Sequence, residues 1–410
     1  LVISNNEICY NARLLKAADF FHKNGCDVTV FNGVTGLASR EIYEDIKKSR
    51  SWRVIENDIS KGDFKSKLKW LVTGVLHKLI EFSIDKMKLP FWEAYYLNKS
   101  LLLRPKITKE KYDFILIHLV DNLPFAVQLK NKLNAQIIYD NQEYFVGQYA
   151  AFEKGKFNWV KEVQKKYLPE VDIVLATTNV MLQQLRKDHD LKIPSFRVRN
   201  VPSMQTTAVR NDSNSHQEVN HLNVLKLVWH GMGVYFNNSR GVHILLQAIA
   251  QCNENVHLYL QGSLTEAQKS IYERYEEALN LEGKVTFLPP AHPDEIVPSL
   301  KKFDVGLTAE LPEELNQELT SSNKLFDYIQ AGLVIISSDV LGLAETIDEF
   351  DVGLKYEPGN IAELSNKIDR LAADRTQLNK YKQNSKIASS QLFWELDYRS
   401  ILQLVKKEAE

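Results

Sequence analysis

Short apolar runs alternate with longer stretches of helical period along most of the chain. LVIS (1–4) and DVTVF (27–31) read as strands. Between them ARLLKAADFFHKNG (12–25) repeats apolar residues every three to four positions and stops at Gly25, the pattern of an amphipathic helix. DFILIH (113–118), QIIYD (136–140) and DIVLAT (172–177) continue the series. The alternation breaks at MQTTAVRNDSNSHQEVNH (204–221), which is polar, aperiodic and poor in large apolar residues, as linkers and exposed loops are. It then resumes. LKLVWHG (225–231), VHLYLQG (256–262), KVTFL (284–288), DVGLT (304–308) and LVIISSD (333–339) read as strands, with helical patterns over 240–252, 265–281 and 321–331. Short apolar strands separated by helices predict parallel sheets covered on both faces, and two such series predict two Rossmann-like domains.

One stretch departs from this rhythm. Residues 64–104 hold no clear strand. Trp70, Leu71, Val75, Leu79 and Phe82 form an apolar stripe, and Lys65, Lys67, Lys69, Lys78, Lys86 and Lys88 outnumber Glu81 and Asp85. Two readings stay open. One is a helix lying on an anionic membrane surface, a peripheral contact through 64–90. The other is an amphipathic helix packed on the N-terminal sheet with its lysines in water.

Composition narrows the class. A chain of 410 residues exceeds one ordinary core and fits two domains. A hydrophobic content of 44% with 25% charged residues is that of a soluble globular protein. A formal net charge of -1 gives no basic field for nucleic acid, and no nucleic-acid-binding motif is present. Cys9, Cys26 and Cys252 are far apart, which argues against a disulfide framework or zinc site and fits a reducing compartment. LVIS lacks the basic region and apolar core of a signal peptide. No run reaches the roughly 18–20 apolar residues of a membrane span.

In doubly wound domains ligands sit beyond the carboxyl ends of the strands, so candidate chemistry is sought there, in a cleft between the two domains. In VWHGMGVYFNNSRGVHILLQAIA (228–250) a strand is expected to end at His230-Gly231. Gly231 and Gly233 would permit a tight turn with amides close to a ligand, and a helix would open near Arg240 and Gly241. Arg240 is either a phosphate contact or a surface arginine after an ordinary turn. The spacing is not GxGxxG, so a nicotinamide dinucleotide is poorly supported. In SSNKLFDYIQAGLVIISSD (321–339) cap residues precede Lys324, a cation in the first helical turn, where it opposes the dipole unless an anion is bound. Asp327 shares that helix face. The two could hold the phosphate and the sugar hydroxyls of one ligand, a nucleotide diphosphate with its ribose, or form a plain surface salt bridge. On the N-terminal side, His118 ends a strand and is either a ligand contact or a satisfied core histidine. Asp121 and Glu143 stand at strand ends as acceptor-orienting or basic carboxylates, or as caps. Arg13 starts the first helix and either reaches the cleft or lies on the surface.

These stretches carry a resemblance. NKLFDYIQAGLVIISSD (323–339) resembles the NKLFEYxAAGxPVIxSD segment of GT-B glycosyltransferases, in particular the family-4-like retaining enzymes. GLAETIDEFDVGLKYEPGNIAELSNKI (342–368) is similar to that family's next stretch, and 228–250 and 284–307 resemble its upstream segments. NARLLKAADFFHKNGCDVTVF (11–31), KYDFILIHLVDNLPFA (111–126) and IIYDNQEYF (137–145) agree more loosely, and FWELDYRSILQLV (393–405) resembles its last helix. The resemblance implies an α/β GT-B fold: an acceptor-side domain (1–203), a linker (204–223), a nucleotide-sugar-binding domain (224–388) and a C-terminal helix (389–410) crossing back to the N-terminal domain. It implies a nucleotide diphosphate sugar as donor and a glycan or lipid-linked acceptor. No cofactor or metal is expected, and the place of action is the cytoplasm, at the inner face of the membrane. Asp327 would take the ribose. Lys324 and Arg240, with Gly231 and Gly233, would take the diphosphate, and Glu345 would lie in a loop directed toward the donor sugar. Where the family often has two glutamates eight positions apart, this chain has Leu319 and Asp327, with Glu318 adjacent. Met232 replaces an arginine at the phosphate loop, and Gln142 and Val120 replace histidines. A nucleotide-sugar 2-epimerase of the same architecture and a non-catalytic nucleotide-sugar-binding subunit are the alternatives.

Overall fold

The computed structural model describes residues 1–4, 8, 11–34, 40–58, 62–87, 107, 110–149, 154–204, 224–236, 239–292 and 295–409. The chain divides into two compact units, Leu1–Val198 with Asp397–Glu410, and Arg199–Leu396. Cys9, Lys88 and nearly all of the stretch expected as a linker, 205–223, lie outside the described residues.

In the first unit, strands β1 (Val2–Ser4), β2 (Thr29–Val34), β3 (Arg53–Asp58), β4 (Phe114–His118), β5 (Gln136–Asn141), β6 (Ile173–Ala176) and β7 (Ser195–Arg197) form one sheet. Their order is β3-β2-β1-β4-β5-β6-β7, and every pairing is parallel. Both faces are covered, so β4, β5 and β6 are nearly continuous runs of buried residues. The edge strands β3 (RVIEND) and β7 (SFR) escape a reading based on apolar runs because an edge strand faces less core. The last helix, Trp394–Ala409, belongs to this unit from Asp397 onward. Its buried Tyr398 meets Phe20 and Phe21 edge-on, with ring centroids 5.7 Å away in each case.

The second unit contains β8 (Leu225–Gly233), β9 (Val256–Ser263), β10 (Val285–Leu288), β11 (Val305–Thr308), β12 (Val334–Ser338) and β13 (Gly353–Tyr356). These form a parallel sheet in the order β10-β9-β8-β11-β12-β13. Leu227, Trp229, Val305, Leu307, Val334 and Ile336 lie at its centre, each essentially excluded from water. Full burial of such a side chain contributes about 1.5–3 kcal/mol.

In each sheet the chain turns outward in opposite directions from two central strands, β1/β4 in the first unit and β8/β11 in the second. The helices that follow such a pair leave toward opposite sides, and a crevice opens at the carboxyl ends.

The helix Phe64–Asp85 corrects one of the two readings of the lysine-rich stretch. Asp63 and Ser66 close a capping box at its start. Its stripe does not pack on the sheet: Trp70, Leu71, Val75, Leu79 and Phe82 are 44–58% exposed. Among the described residues, no helix is long and apolar enough to cross a membrane.

Candidate functional site

In the second unit the site grows from the β8/β11 switch. Strand β8 does not stop at Gly231. It continues through Gly233 with a register shift against β9 between His230 and Gly233, so the expected tight turn is an irregular strand end. Met232 points outward, 93% exposed. The loop after it carries the exposed Arg240 into Gly241, which caps the helix Val242–Gln251 in the left-handed region (φ 67°). A Cβ on Gly241 would come within 1.8 Å of the Ala309 carbonyl oxygen, so only glycine lets this helix start against the end of β11.

The helix Asn323–Ala331 is anchored by its apolar face. Tyr328 is buried; its hydroxyl accepts from the His230 N–H at 3.2 Å and donates to the Leu307 carbonyl at 3.2 Å. Its ring fills the space over Gly306, where a Cβ would lie 2.2 Å from Tyr328 Cγ. One tyrosine thus ties β8 to β11 and sets the height of the helix start.

Lys324 is not a surface residue. It is 5% exposed, donates from Nζ to Glu310 Oε1 at 2.9 Å and to Ser322 Oγ at 3.1 Å, and lies 5.5 Å from the Trp229 ring centroid. An ammonium has three protons, so Glu310 and Ser322 occupy two of its donor positions. The second oxygen of Glu310 is buried without a hydrogen-bond partner. His230 lies beside this pair. Burial, helped by the Lys324 charge, lowers its pKa to about 3, so it is neutral at ordinary pH. Its Nε2 stands 3.4 Å from Asp327 Oδ2 without a hydrogen bond. Thr308 donates to Ser337 at 2.6 Å, while the buried Ser338 and Tyr356 hydroxyls, at the last residues of β12 and β13, have no partner among the described residues. Buried polar atoms left unpaired are costly. A row of them at strand ends is chemically matched to a polyhydroxylated, phosphorylated ligand.

Glu345 is placed differently from the expectation. It falls inside the helix Leu341–Phe350, not in a loop. Gly342 in the first turn of that helix packs on the Thr320 carbonyl, where a Cβ would lie 2.2 Å away. Glu318 accepts a hydrogen bond from the Leu341 N–H at 3.1 Å, and Leu319 is buried in the core.

The first unit builds a second polar cluster at its own switch. Arg13 opens the helix Ala12–Lys23 and is buried. It grips Asp140 at the end of β5 with two bonds, Nε to Oδ2 and Nη2 to Oδ1, both 2.7 Å. Asp140 Oδ2 is also 3.0 Å from His118 Nδ1 at the end of β4, and Gln142 Nε2 is 2.8 Å from the same nitrogen. Although burial opposes ionisation, the charges of Arg13 and His118 hold the Asp140 carboxyl well below the usual carboxylate range. Asp140 and Gln142 both approach the ring at Nδ1 and fix its orientation, while Nε2 is buried without a partner among the described residues. The next residue, Leu119, takes φ 68° and ψ 147°, a conformation nearly confined to glycine that costs roughly 1–3 kcal/mol. Asn122 bonds back to the His118 carbonyl and holds the corner. Asp121 is half-buried in the single turn Val120–Asn122, and Glu143 is half-buried just after β5.

The structure therefore brings Lys324, Asp327 and the end of β8 together in one unit, and His118 and Arg13 in the other. Sequence reasoning missed Glu310, His230 and Asp140. Each ends or follows a predicted strand, which is the signal that marks them. Among the described residues no group of three His, Cys, Asp or Glu side chains is placed to hold a metal ion.

Residues 226–374 match the family model described as Glycosyl transferases group 1. No curated protein matches the chain. Among solved structures, a sucrose-phosphate synthase from Thermosynechococcus elongatus is 17% identical with a TM-score of 0.65, covering 99% of this chain and 98% of its own. Anabaena HepE in complex with UDP is 14% identical with a TM-score of 0.66, covering 99% of both chains. A glycosyltransferase from Rickettsia africae is 13% identical with a TM-score of 0.63, covering 100% of this chain and 98% of its own. At these identities the likeness establishes the fold alone, a GT-B fold with two Rossmann-like units.

Proposed function

Starting from residues 226–374 as a Glycosyl transferases group 1 domain, and so from the chain as a glycosyltransferase, we propose that it moves a sugar from a nucleotide diphosphate sugar to a hydroxyl of a glycan or lipid-linked acceptor, with retention, in surface polysaccharide or glycoconjugate synthesis in the cytoplasm. The observation that carries the reading is the start of the Asn323–Ala331 helix at the β8/β11 switch, where Lys324 is fixed by Glu310 and Asp327 lies on the same face. Solved neighbours of the fold include HepE in complex with UDP-glucose.

In this reading Asp327 accepts from the ribose hydroxyls. The third Nζ proton of Lys324 goes to a phosphate oxygen, Arg240 adds a second cation, and the amides around Gly231 and Gly233 and at the start of the Asn323–Ala331 helix complete the anion site. The unpaired oxygen of Glu310 takes a sugar hydroxyl, and Glu345 supports this end from its helix. As the bond between the anomeric carbon and the phosphate oxygen breaks, these groups stabilise the departing diphosphate, and no metal is required. The acceptor hydroxyl attacks the same face and passes its proton to the leaving phosphate. On the first unit His118 contacts the donor sugar or acceptor, with Asp121 and Glu143 as acceptor-side carboxylates. Arg13 works through Asp140 as a positioning residue.

Calorimetry with UDP, GDP, ADP and their sugar conjugates tests the donor site. One nucleotide should bind selectively. Asp327→Ala should weaken it on the order of ten- to a hundredfold, as expected when hydrogen bonds to a charged group are lost. Absence of binding, or binding indifferent to Asp327→Ala and Lys324→Ala, would remove the assignment. Conversion of donor to a sugar epimer without acceptor would replace transfer by epimerisation.

A further inference from the structure

The helix Phe64–Asp85 is turned inside out. Phe64, Leu68, Leu71, Val75, Leu79 and Phe82 recur every three to four residues and so share one face. That face looks into solvent, with exposures from 50% to 82%. The opposite side holds Ser66, which is buried, Thr73 and His77, which are half-buried, and Trp70, which is 44% exposed. A helix serving only its own domain would show the reverse arrangement. On a 3.6-residue turn, Lys65 and Lys69 fall along one edge of the apolar face, and Lys67 and Lys78 along the other. Glu81 falls on the inward side.

We propose that this helix is a membrane-surface anchor that lies in the plane of a bilayer rich in anionic lipid, with its apolar face among the acyl chains and its four flanking lysines at the headgroups. The occupant follows from three features of the surface. The face, from Phe64 to Phe82, is about 28 Å long at ~1.5 Å per residue and carries large aliphatic and aromatic side chains, far more than the scattered apolar residues of an ordinary surface. Between Phe64 and Phe82 the charges along both edges are lysines, with Asp85 following only at the helix end, and long lysine stems extend to phosphates while their methylenes stay in the apolar layer. Finally, Glu81, the one acidic residue between Phe64 and Phe82, falls on the inward side and leaves the outward surface basic. This surface is independent of the donor site and of the function proposed for it.

The test is sedimentation of the full chain with vesicles of phosphatidylcholine alone or mixed with phosphatidylglycerol, with nucleotide binding measured in parallel. The chain should bind the anionic vesicles on the order of tenfold or more tighter than the neutral ones, and added salt should narrow that difference. Leu71→Asp with Leu79→Asp should abolish binding to both. Lys67→Glu with Lys78→Glu should weaken binding to anionic vesicles by on the order of tenfold or more and leave the neutral ones nearly unchanged. Because these side chains are exposed, both variants should keep the wild-type circular dichroism and nucleotide affinity. Failure to bind anionic vesicles, equal binding to both compositions, or a concentration-dependent dimer lost in Leu71→Asp with Leu79→Asp would each overturn the proposal. Loss of nucleotide binding in the wild type would count against the donor site and leave the anchor standing.

Discussion

His118 and His230 both stand near the carboxyl end of a strand flanking the switch point of their sheet, and both are buried. Each has a carboxylate nearby, Asp140 for His118 and Asp327 for His230, but the cation beside each pair is placed differently. His118 Nδ1 faces Asp140, whose charge is secured by the bidentate Arg13, so the ring is oriented and its Nε2 is left without a partner among the described residues. His230 is kept neutral by its burial, helped by the Lys324 charge, although Asp327 Oδ2 lies 3.4 Å from its Nε2. It contributes a ring edge over Tyr328, with centroids 5.2 Å apart, and a backbone N–H bonded to the same tyrosine. The same topological position therefore holds a histidine oriented by a carboxylate–arginine pair in one unit and a buried neutral histidine in the other. The deciding element is one charged side chain arriving from the adjacent strand or helix.

The largest effect expected from breaking this arrangement is in the first unit. Asp140→Asn leaves Arg13 buried without its counter-charge, a loss of about 3–5 kcal/mol. A urea unfolding curve reads it directly. The pH dependence follows from the depressed carboxyl. Its contribution is fully present above the ordinary aspartate value of about 3.9 and is lost as pH falls through the lower folded value. Wild type should therefore shed stability below about pH 4, and Asp140→Asn should lack that component. If Asp140→Asn unfolds at the wild-type urea midpoint, the pair is not the anchor described.

Next comes the second unit's pair. Lys324→Met alone leaves Glu310 buried and uncompensated and should cost about 3 kcal/mol. Adding Glu310→Leu removes the stranded charge and should return stability to within about 1 kcal/mol of wild type. Nucleotide affinity should not return with it. That split separates a clamp from a structural ion pair: recovery of both stability and binding in the double variant would make Lys324 purely structural.

The neutral histidine gives a smaller effect of defined sign. His230 has a folded pKa near 3, below the ordinary histidine value of 6.5, so between these values the unfolded chain binds the extra proton. Its contribution therefore lowers stability as pH falls from 6.5 toward 3 and vanishes above 6.5. At pH 5 the cost is on the order of 2 kcal/mol, and His230→Gln should remove it. Matching pH profiles for wild type and His230→Gln between pH 5 and 7 would mean that His230 is solvated.

Much of this was legible in the sequence. The alternation of apolar runs with helical periods marks both sheets, because parallel strands buried on two faces must be almost wholly apolar. It passes over β3 and β7, which are edge strands with half-polar sequences. Lys324 and Asp327 stand out because a cation in the first turn opposes the helix dipole. Glu310 does not, since nothing local ties it to a residue fourteen positions later; only the fold brings Glu310 Oε1 to 2.9 Å from Lys324 Nζ. Arg13 and Asp140 meet over a separation of 127 residues for the same reason. The loop position for Glu345 is what the resemblance implies, yet Glu345 sits in a helix whose Gly342 packs closely on the Thr320 carbonyl. The apolar stripe of 64–85 is periodic whichever way it faces, so periodicity alone does not tell a packed helix from an exposed one.

The smallest effect concerns Arg240, and it sharpens the contrast between a residue that binds and a neighbour that builds. Arg240 is exposed, so Arg240→Ala should change stability by no more than about 0.5 kcal/mol. Gly241 is the opposite case. Its φ of 67° and the 1.8 Å approach of a Cβ to the Ala309 oxygen mean that Gly241→Ala must displace the start of the Val242–Gln251 helix. Both variants should lose nucleotide affinity, but for separable reasons. Gly241→Ala should lose thermal stability along with it. Arg240→Ala should keep its melting temperature and weaken nucleoside diphosphate binding by roughly tenfold, the scale of one charge-assisted contact to phosphate. The corresponding nucleoside, which has no phosphate, should bind wild type and Arg240→Ala equally. If Arg240→Ala binds the diphosphate as well as wild type does, Arg240 is a surface arginine, and the anion site reduces to Lys324 and the backbone amides.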